Sequence, residues 1–186
     1  MQNDISAPKA NIIPKTLKKH KETRIDNYFW LNDRENSEVI DYLNQENAYY
    51  ENMTSHTKDL QNSLFEEMKA RIKEDDSSVP YFYSGYFYIT RFETGQDYPI
   101  FARKKGSLSA EEEILFNCNE MAKGHAYFKL GGLSISPDNK FASFGVDIVG
   151  RRIYTIQIKN LETGEILADK IENVTGASVW ANDNNT

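Results

Sequence analysis

Two hydrophobic periods divide this chain, one of about four residues before Pro80 and one of about two after it. From Ser37, which suits an N-cap and is followed by Glu38, the apolar positions Val39, Ile40, Leu43, Tyr50 and Met53 fall roughly at helical spacing. They predict a first helix. Leu60, Leu64, Met68 and Ile72 then recur every four residues. Phe65 widens that stripe, and Lys58, Asp59, Glu66, Glu67 and Lys69 occupy the other faces. This is a second helix whose stripe reads as core material. Glu74, Asp75, Asp76, Ser77 and Ser78 have turn composition, and Pro80 biases Val79 away from helix. The main boundary falls here, giving an N-terminal arm with two helices over 1–76 and a strand-rich region over 77–186.

Beyond the boundary the alternation predicts strands over 81–83, 86–92, 98–104 and 113–118, a β-meander interrupted by short polar turns. A second set over 133–136, 141–147, 152–159 and 165–170 repeats the scheme, with tight turns at 137–140 and 160–164. Gly132-Leu-Ser-Ile-Ser-Pro-Asp-Asn-Lys is echoed 44 residues later by Gly176-Ala-Ser-Val-Trp-Ala-Asn-Asp-Asn. Such a period belongs to propeller blades, and the second copy starts a third unit. The fold class is therefore α+β: a helical segment followed by the first blades of a β-propeller.

Residues 1–36 hold Pro8, Pro14 and many charges, and also the apolar group Tyr28, Phe29, Trp30 and Leu31. They read as an extended arm with one anchor that needs a surface to cover it. Lys15, Lys18, Lys19 and Lys21 form the one basic cluster, expected to be a solvated, poorly ordered part of that arm. The chain as a whole carries a formal charge of -6, which argues against a nucleic-acid or anionic-membrane partner. Its 11 Tyr, 10 Phe and 2 Trp supply apolar area suited to packed sheets. Cys118 is the only cysteine, so an intrachain disulfide and a multi-Cys zinc site are both ruled out. The first residues have no apolar signal core and no long apolar run follows, so the expected location is the cytoplasm. The sequons at Asn52 and Asn173 are then chance matches.

No set of residues announces chemistry. Gly-x-Ser-x-Gly, the turn that lifts a hydrolase serine, is absent; the nearest string puts Ser136 where its second glycine belongs and Ser134 inside an alternating strand. His20, His56 and His125 lack partners at metal-ligand spacing. Glu111, Glu112 and Glu113, like Asp75 and Asp76, read as solvated turn carboxylates, and Gly131-Gly132 lacks the remainder of any phosphate loop. The chain is accordingly expected to hold no catalytic residue, cofactor or metal ligand. Arg151 and Arg152 follow a strand directly; they read either as a turn charge pair or as a contact for a neighbouring domain or an acidic ligand.

The string Arg24-Ile-Asp-Asn-Tyr-Phe-Trp-Leu-Asn-Asp-Arg-Glu-Asn-Ser-Glu-Val-Ile-Asp-Tyr-Leu-Asn-Gln-Glu-Asn resembles the N-terminal signature of the prolyl oligopeptidase family. Arg71-Ile-Lys-Glu-Asp-Asp-Ser-Ser-Val-Pro, Tyr88-Ile-Thr-Arg-Phe-Glu-Thr-Gly, Asp97-Tyr-Pro-Ile-Phe-Ala-Arg-Lys-Lys-Gly, Lys123-Gly-His-Ala-Tyr-Phe and Leu133-Ser-Ile-Ser-Pro-Asp-Asn narrow the likeness to its oligopeptidase B, or protease II, branch. Ser37 stands where that branch usually has proline. The resemblance implies a two-domain serine peptidase in which a seven-bladed propeller covers an α/β-hydrolase domain and admits short peptides, cut after Arg or Lys. It also implies that the arm and helices, with Tyr28, Phe29, Trp30 and Leu31, pack on that hydrolase domain, which is the expected partner. The triad of the family then lies outside these 186 residues, and the chain alone is expected to be inactive. The other readings are a non-catalytic binding module, and a peptidase of the same family with prolyl specificity.

Overall fold

The computed structural model describes residues 6–184. The chain divides into two compact units, Met1–Ile72 and Lys73–Thr186.

In the first unit, β1 (Lys15–Lys19) and β2 (Glu22–Asp26) pair antiparallel, so the basic cluster is a hairpin and not a loose arm. Two features explain the difference. Lys15 faces Asp26 and Lys19 faces Glu22 across the ladder, and His20 and Lys21 both take the left-handed backbone of a two-residue hairpin turn, with φ of 52° and 68°. After the hairpin, Asp26 Oδ1 accepts the Tyr28 N–H at 3.0 Å, and Phe29–Asn32 wind into one 3-10 turn. Helix α1 (Ser37–Thr54) begins one residue earlier than its expected cap implies: Asn36 is the N-cap, its Oδ1 accepting the Glu38 N–H at 2.9 Å, and Ser37 is the first helical residue. A 3-10 turn, Ser55–Thr57, joins it to α2 (Lys58–Ala70). Val39 is the one buried residue of α1, and α2 has none. The α2 stripe expected to be core is exposed, Leu60 at 59% and Phe65 and Met68 at 60%. Its period is helical as read; no element of its own unit covers it.

The second unit is two four-stranded antiparallel meanders. The first has the order β3 (Tyr81–Tyr83), β4 (Tyr86–Arg91), β5 (Ile100–Lys105), β6 (Glu112–Asn117). The second is made of β7 (Lys129–Ile135), β8 (Phe141–Asp147), β9 (Tyr154–Asn160) and β10 (Ile166–Val174), again in sequence order. Strand β6 stops before Cys118 because Asn117 turns its side chain onto the N–H groups of Asn119 and Glu120 and caps the short helix α3 (Cys118–Met121). No helix among the described residues is long and apolar enough to cross a membrane.

The core lies between the sheets. Tyr88, Leu115 and Phe116 from the first meet Ala142 and Phe144 from the second, with the Phe116 and Phe144 rings 4.6 Å apart. Each fully buried ring of this kind contributes on the order of 2–3 kcal/mol by leaving water. Polar ties accompany the same seam. Arg103, 4% exposed, is held within the first sheet by two bonds to Glu113, at 2.7 and 2.9 Å, and donates across to the Asn139 carbonyl at 3.3 Å. Lys159 Nζ donates to the Leu115 carbonyl at 2.7 Å. Asn139, itself at φ 63°, donates its amide to Ser84 O and Oγ, linking the β7–β8 turn to the β3–β4 turn.

The segment after β10 runs over the other face of the second sheet. Trp180 Nε1 donates to Ser134 O at 3.1 Å, and the Ser143 and Ser178 hydroxyls share a 2.7 Å bond. The sequence echo thus becomes a contact: a Cβ on Gly132 would stand 1.7 Å from Gly176 O, and one on Gly176 2.7 Å from the Tyr154 ring. Gly132 also has φ +61°.

Gly132→Ala is expected to destabilise the protein by about 2–4 kcal/mol, because backbone must move as well as strain be tolerated. Gly164→Ala, at φ +79° but with open space around it, is expected to cost only about 1 kcal/mol. Urea unfolding of both variants checks the ranking. Burial pushes the Cys118 thiol up to about 11. It is therefore expected to resist a thiol-alkylating reagent near about pH 8 in the folded protein and to react on unfolding; rapid native labelling would contradict its placement.

Candidate functional site

The loop between β8 and β9 is the part of the second unit in which structure is spent on display. Asp147 ends β8 with 1% exposure, and its carboxylate accepts three backbone N–H groups: Val149 and Gly150 on Oδ1, both at 2.9 Å, and Arg152 on Oδ2 at 2.8 Å. The aspartate closes its own loop in the manner of an extended Asx turn. Gly150, at φ 82°, and Arg152, at φ 59°, take left-handed backbone to make this possible. Burial alone raises the carboxyl pKa, but the backbone N–H groups of Val149, Gly150 and Arg152 together outweigh it and hold the group below its ordinary 3.8. The charge is thus kept ionised by its own loop.

What the loop presents is Arg151 and Arg152, both exposed, between Ile148, Val149 and Ile153, which are exposed as well. Neither arginine enters an ion pair among the described residues, although Arg24, Arg71, Arg91 and Arg103 all do. A rigid tip with two cations and three apolar side chains can dock on an apolar surface that carries carboxylates. Sequence reasoning singled out the arginine pair but missed Asp147, whose signal was the Asp-x-x-Gly spacing from Asp147 to Gly150 at a strand end.

The other expected contact residues lie in the first unit. Trp30 is held by its Nε1 bond to Asn11 O at 2.9 Å and meets Tyr42 edge-on at 6.4 Å. Phe29 lies under the Lys15 ammonium at 3.7 Å. Phe29 and Leu31 are half-buried, and Tyr28 remains exposed. An open groove of about 460 Å³, lined by Ile13, Lys15, Phe29, Trp30, Asn32, Asp33 and Asn36, runs beside them. The four residues are thus one turn with a polar seat and an uncovered rim, continuous in kind with the bare apolar residues of α1 and α2.

Among the remaining candidates, Ser134 lies within β7 and its carbonyl is occupied by Trp180. His20 forms the hairpin turn, His56 sits in the joint between helices, and His125 stacks beside Phe128 at 6.4 Å. Among the described residues no group of three His, Cys, Asp or Glu side chains is placed to hold a metal ion.

Comparison with known proteins gives this arrangement a family. Residues 8–186 match the family model described as prolyl oligopeptidase, N-terminal beta-propeller domain. The chain is 40% identical to dipeptidyl aminopeptidase BI of Pseudoxanthomonas mexicana, covering 90% of this chain and 25% of that protein. It is 34% identical to protease 2 of Moraxella lacunata, covering 93% and 26% respectively. The structure of oligopeptidase B from Leishmania major superposes with a TM-score of 0.82 at 30% identity, over 95% of this chain and 28% of that one. The chain thus spans about a quarter of the length of the relatives it matches. The paired meanders and the helical unit before them match those of that oligopeptidase B structure, and the chain belongs to the prolyl oligopeptidase family of serine peptidases through its N-terminal β-propeller domain.

Proposed function

We propose that this chain is the non-catalytic N-terminal part of a serine oligopeptidase that hydrolyses short peptides after Arg or Lys. In this reading 77–186 supplies two blades and the start of a third in a seven-bladed propeller, which restricts entry to an α/β-hydrolase domain carried elsewhere in the protein. The observation that carries it is the likeness to oligopeptidase B over 95% of the chain. The exposed apolar residues support the division of labour. Leu60, Leu64, Phe65 and Met68, together with the Tyr28–Leu31 turn, are surface that a soluble unit does not leave open without a partner. On this account they dock on the hydrolase domain, and Arg151 and Arg152 meet carboxylates on the same partner.

A second reading rests on the relative at 40% identity, which is named a dipeptidyl aminopeptidase. It keeps the acyl-enzyme chemistry and changes what is released, a dipeptide from a free N-terminus in place of an internal cut.

One assay on the full-length protein that carries this chain decides between them. An N-acylated peptide with Arg or Lys before the scissile bond is expected to be cleaved on the order of 100-fold faster than its proline counterpart. Cleavage only of substrates with a free N-terminus, two residues at a time, favours the second reading; no peptide hydrolysis refutes both.

Replacing Arg151 and Arg152 together by alanine is expected to lower kcat/KM about 10-fold and to flatten its dependence on salt. Unchanged kinetics would return the pair to an ordinary turn. Asp147 also makes a pH prediction. Its folded pKa lies below 3.8, so its contribution is full above that value and is lost as pH falls through the lower, folded one. Asp147→Asn should therefore shrink the acid-induced loss of stability in that window, measured by urea unfolding at a series of pH values.

A further inference from the structure

We infer that Tyr127 is a positioning residue for the tip that carries Arg151 and Arg152, an inference resting on the docking of that tip on the hydrolase domain proposed above. Asp147 clamps the tip, but its three bonds stay inside the loop, to Val149, Gly150 and Arg152. Bonds within one loop fix its shape and leave its tilt over the sheet free. A contact from outside the loop must set that tilt, because guanidinium groups meet carboxylates well only when aimed.

Tyr127 makes that contact. A Cβ placed on Gly150 would lie 3.5 Å from Cγ and Cδ2 of the Tyr127 ring and 3.6 Å from Cε2. Gly150, at φ +82°, turns bare backbone toward the ring, directly before the two arginines. Inward tilt of the tip is stopped there. The contact uses ring carbons and not the hydroxyl, so it belongs to the aromatic face alone.

The ring stands on a fixed base. Its neighbour Phe128 is 4% exposed, meets Tyr98 edge-on at 5.9 Å and lies beside the His125 ring at 6.4 Å. Tyr98 is pinned in turn by Asn119, whose side chain accepts the Tyr98 N–H at 2.9 Å and donates to its carbonyl at 2.8 Å. Asn119 belongs to α3, which follows the last strand of the first sheet. The tip of the second sheet thus leans on a ring whose backbone is anchored to the first. Tyr127 itself is 39% exposed and lies outside the core cluster, so the fold is expected to survive its loss.

The test is a mutant cycle on the full-length protein, reading kcat/KM for an N-acylated peptide with Arg before the scissile bond, and its dependence on salt. Tyr127→Ala is expected to lower kcat/KM about threefold to fivefold and to flatten the salt dependence. Tyr127→Phe is expected to stay within about 1.5-fold of the parent. Once Arg151 and Arg152 are both replaced by alanine, Tyr127→Ala is expected to change nothing further. Should Tyr127→Ala not fold, Tyr127→Gln, which keeps a long side chain without the ring, takes its place in the cycle. A merely structural role would give the same loss with and without the arginines, and that result overturns the inference. So does Tyr127→Ala without effect, or Tyr127→Phe as damaging as Tyr127→Ala, in a protein where losing the arginines lowers kcat/KM. Kinetics unmoved by loss of the arginines overturn the docking reading and this inference together.

Discussion

The fold of the second unit depends on how closely two sheets can approach. On one face of the second sheet, Phe144 meets Phe116 at 4.6 Å; on the other, Gly132 and Gly145 allow the backbone of Gly176 to come within van der Waals reach. A side chain on any of these glycines would hold the following segment away. Tyr154 would then lose the surface its ring covers, and Trp180 its bond to Ser134. The 44-residue echo puts a glycine on both sides of that contact, Gly132 and Gly176.

Polar groups fix the register that the apolar contact leaves loose. Arg103 is buried, so its charge is tolerable only because Glu113 accepts two of its bonds and the Asn139 carbonyl a third. Asn139 then ties one sheet's first turn to the other's through Ser84, and Asn184, also left-handed, accepts the Asp138 N–H in its turn. Asp147 applies the same logic locally, since a carboxylate surrounded by its own loop's N–H groups fixes a tip that displays Arg151 and Arg152. In the first unit the balance is reversed: its helices carry regular apolar stripes with almost nothing buried.

Period was legible in the sequence wherever side chains alternate against a neighbouring layer. Strand β8 lies where the pattern over 141–147 placed it, and the two meanders follow in the expected order. The ends were less legible because they are set by single side-chain bonds: Asn36 and not Ser37 caps α1, and Asn117 converts an expected strand residue, Cys118, into the start of a helix. The β1–β2 hairpin was missed because its lysines are balanced across strands, a pairing invisible to a reading along the chain. The α2 stripe gave the helix correctly and its burial incorrectly, because periodicity states which face is apolar and not what covers it. Of the candidate site, Arg151 and Arg152 were visible as a charge pair, whereas Asp147, which shapes their loop, was not.

The central claim is that the two sheets are one body joined through the Phe116–Phe144 seam. Native-state hydrogen exchange tests it most directly. The account predicts that the protected amides of β4, β5, β8 and β9 exchange through a single shared opening, with one free energy and one denaturant dependence, while those of α2 exchange sooner. Separate openings for the two sheets, with different denaturant slopes, would contradict it.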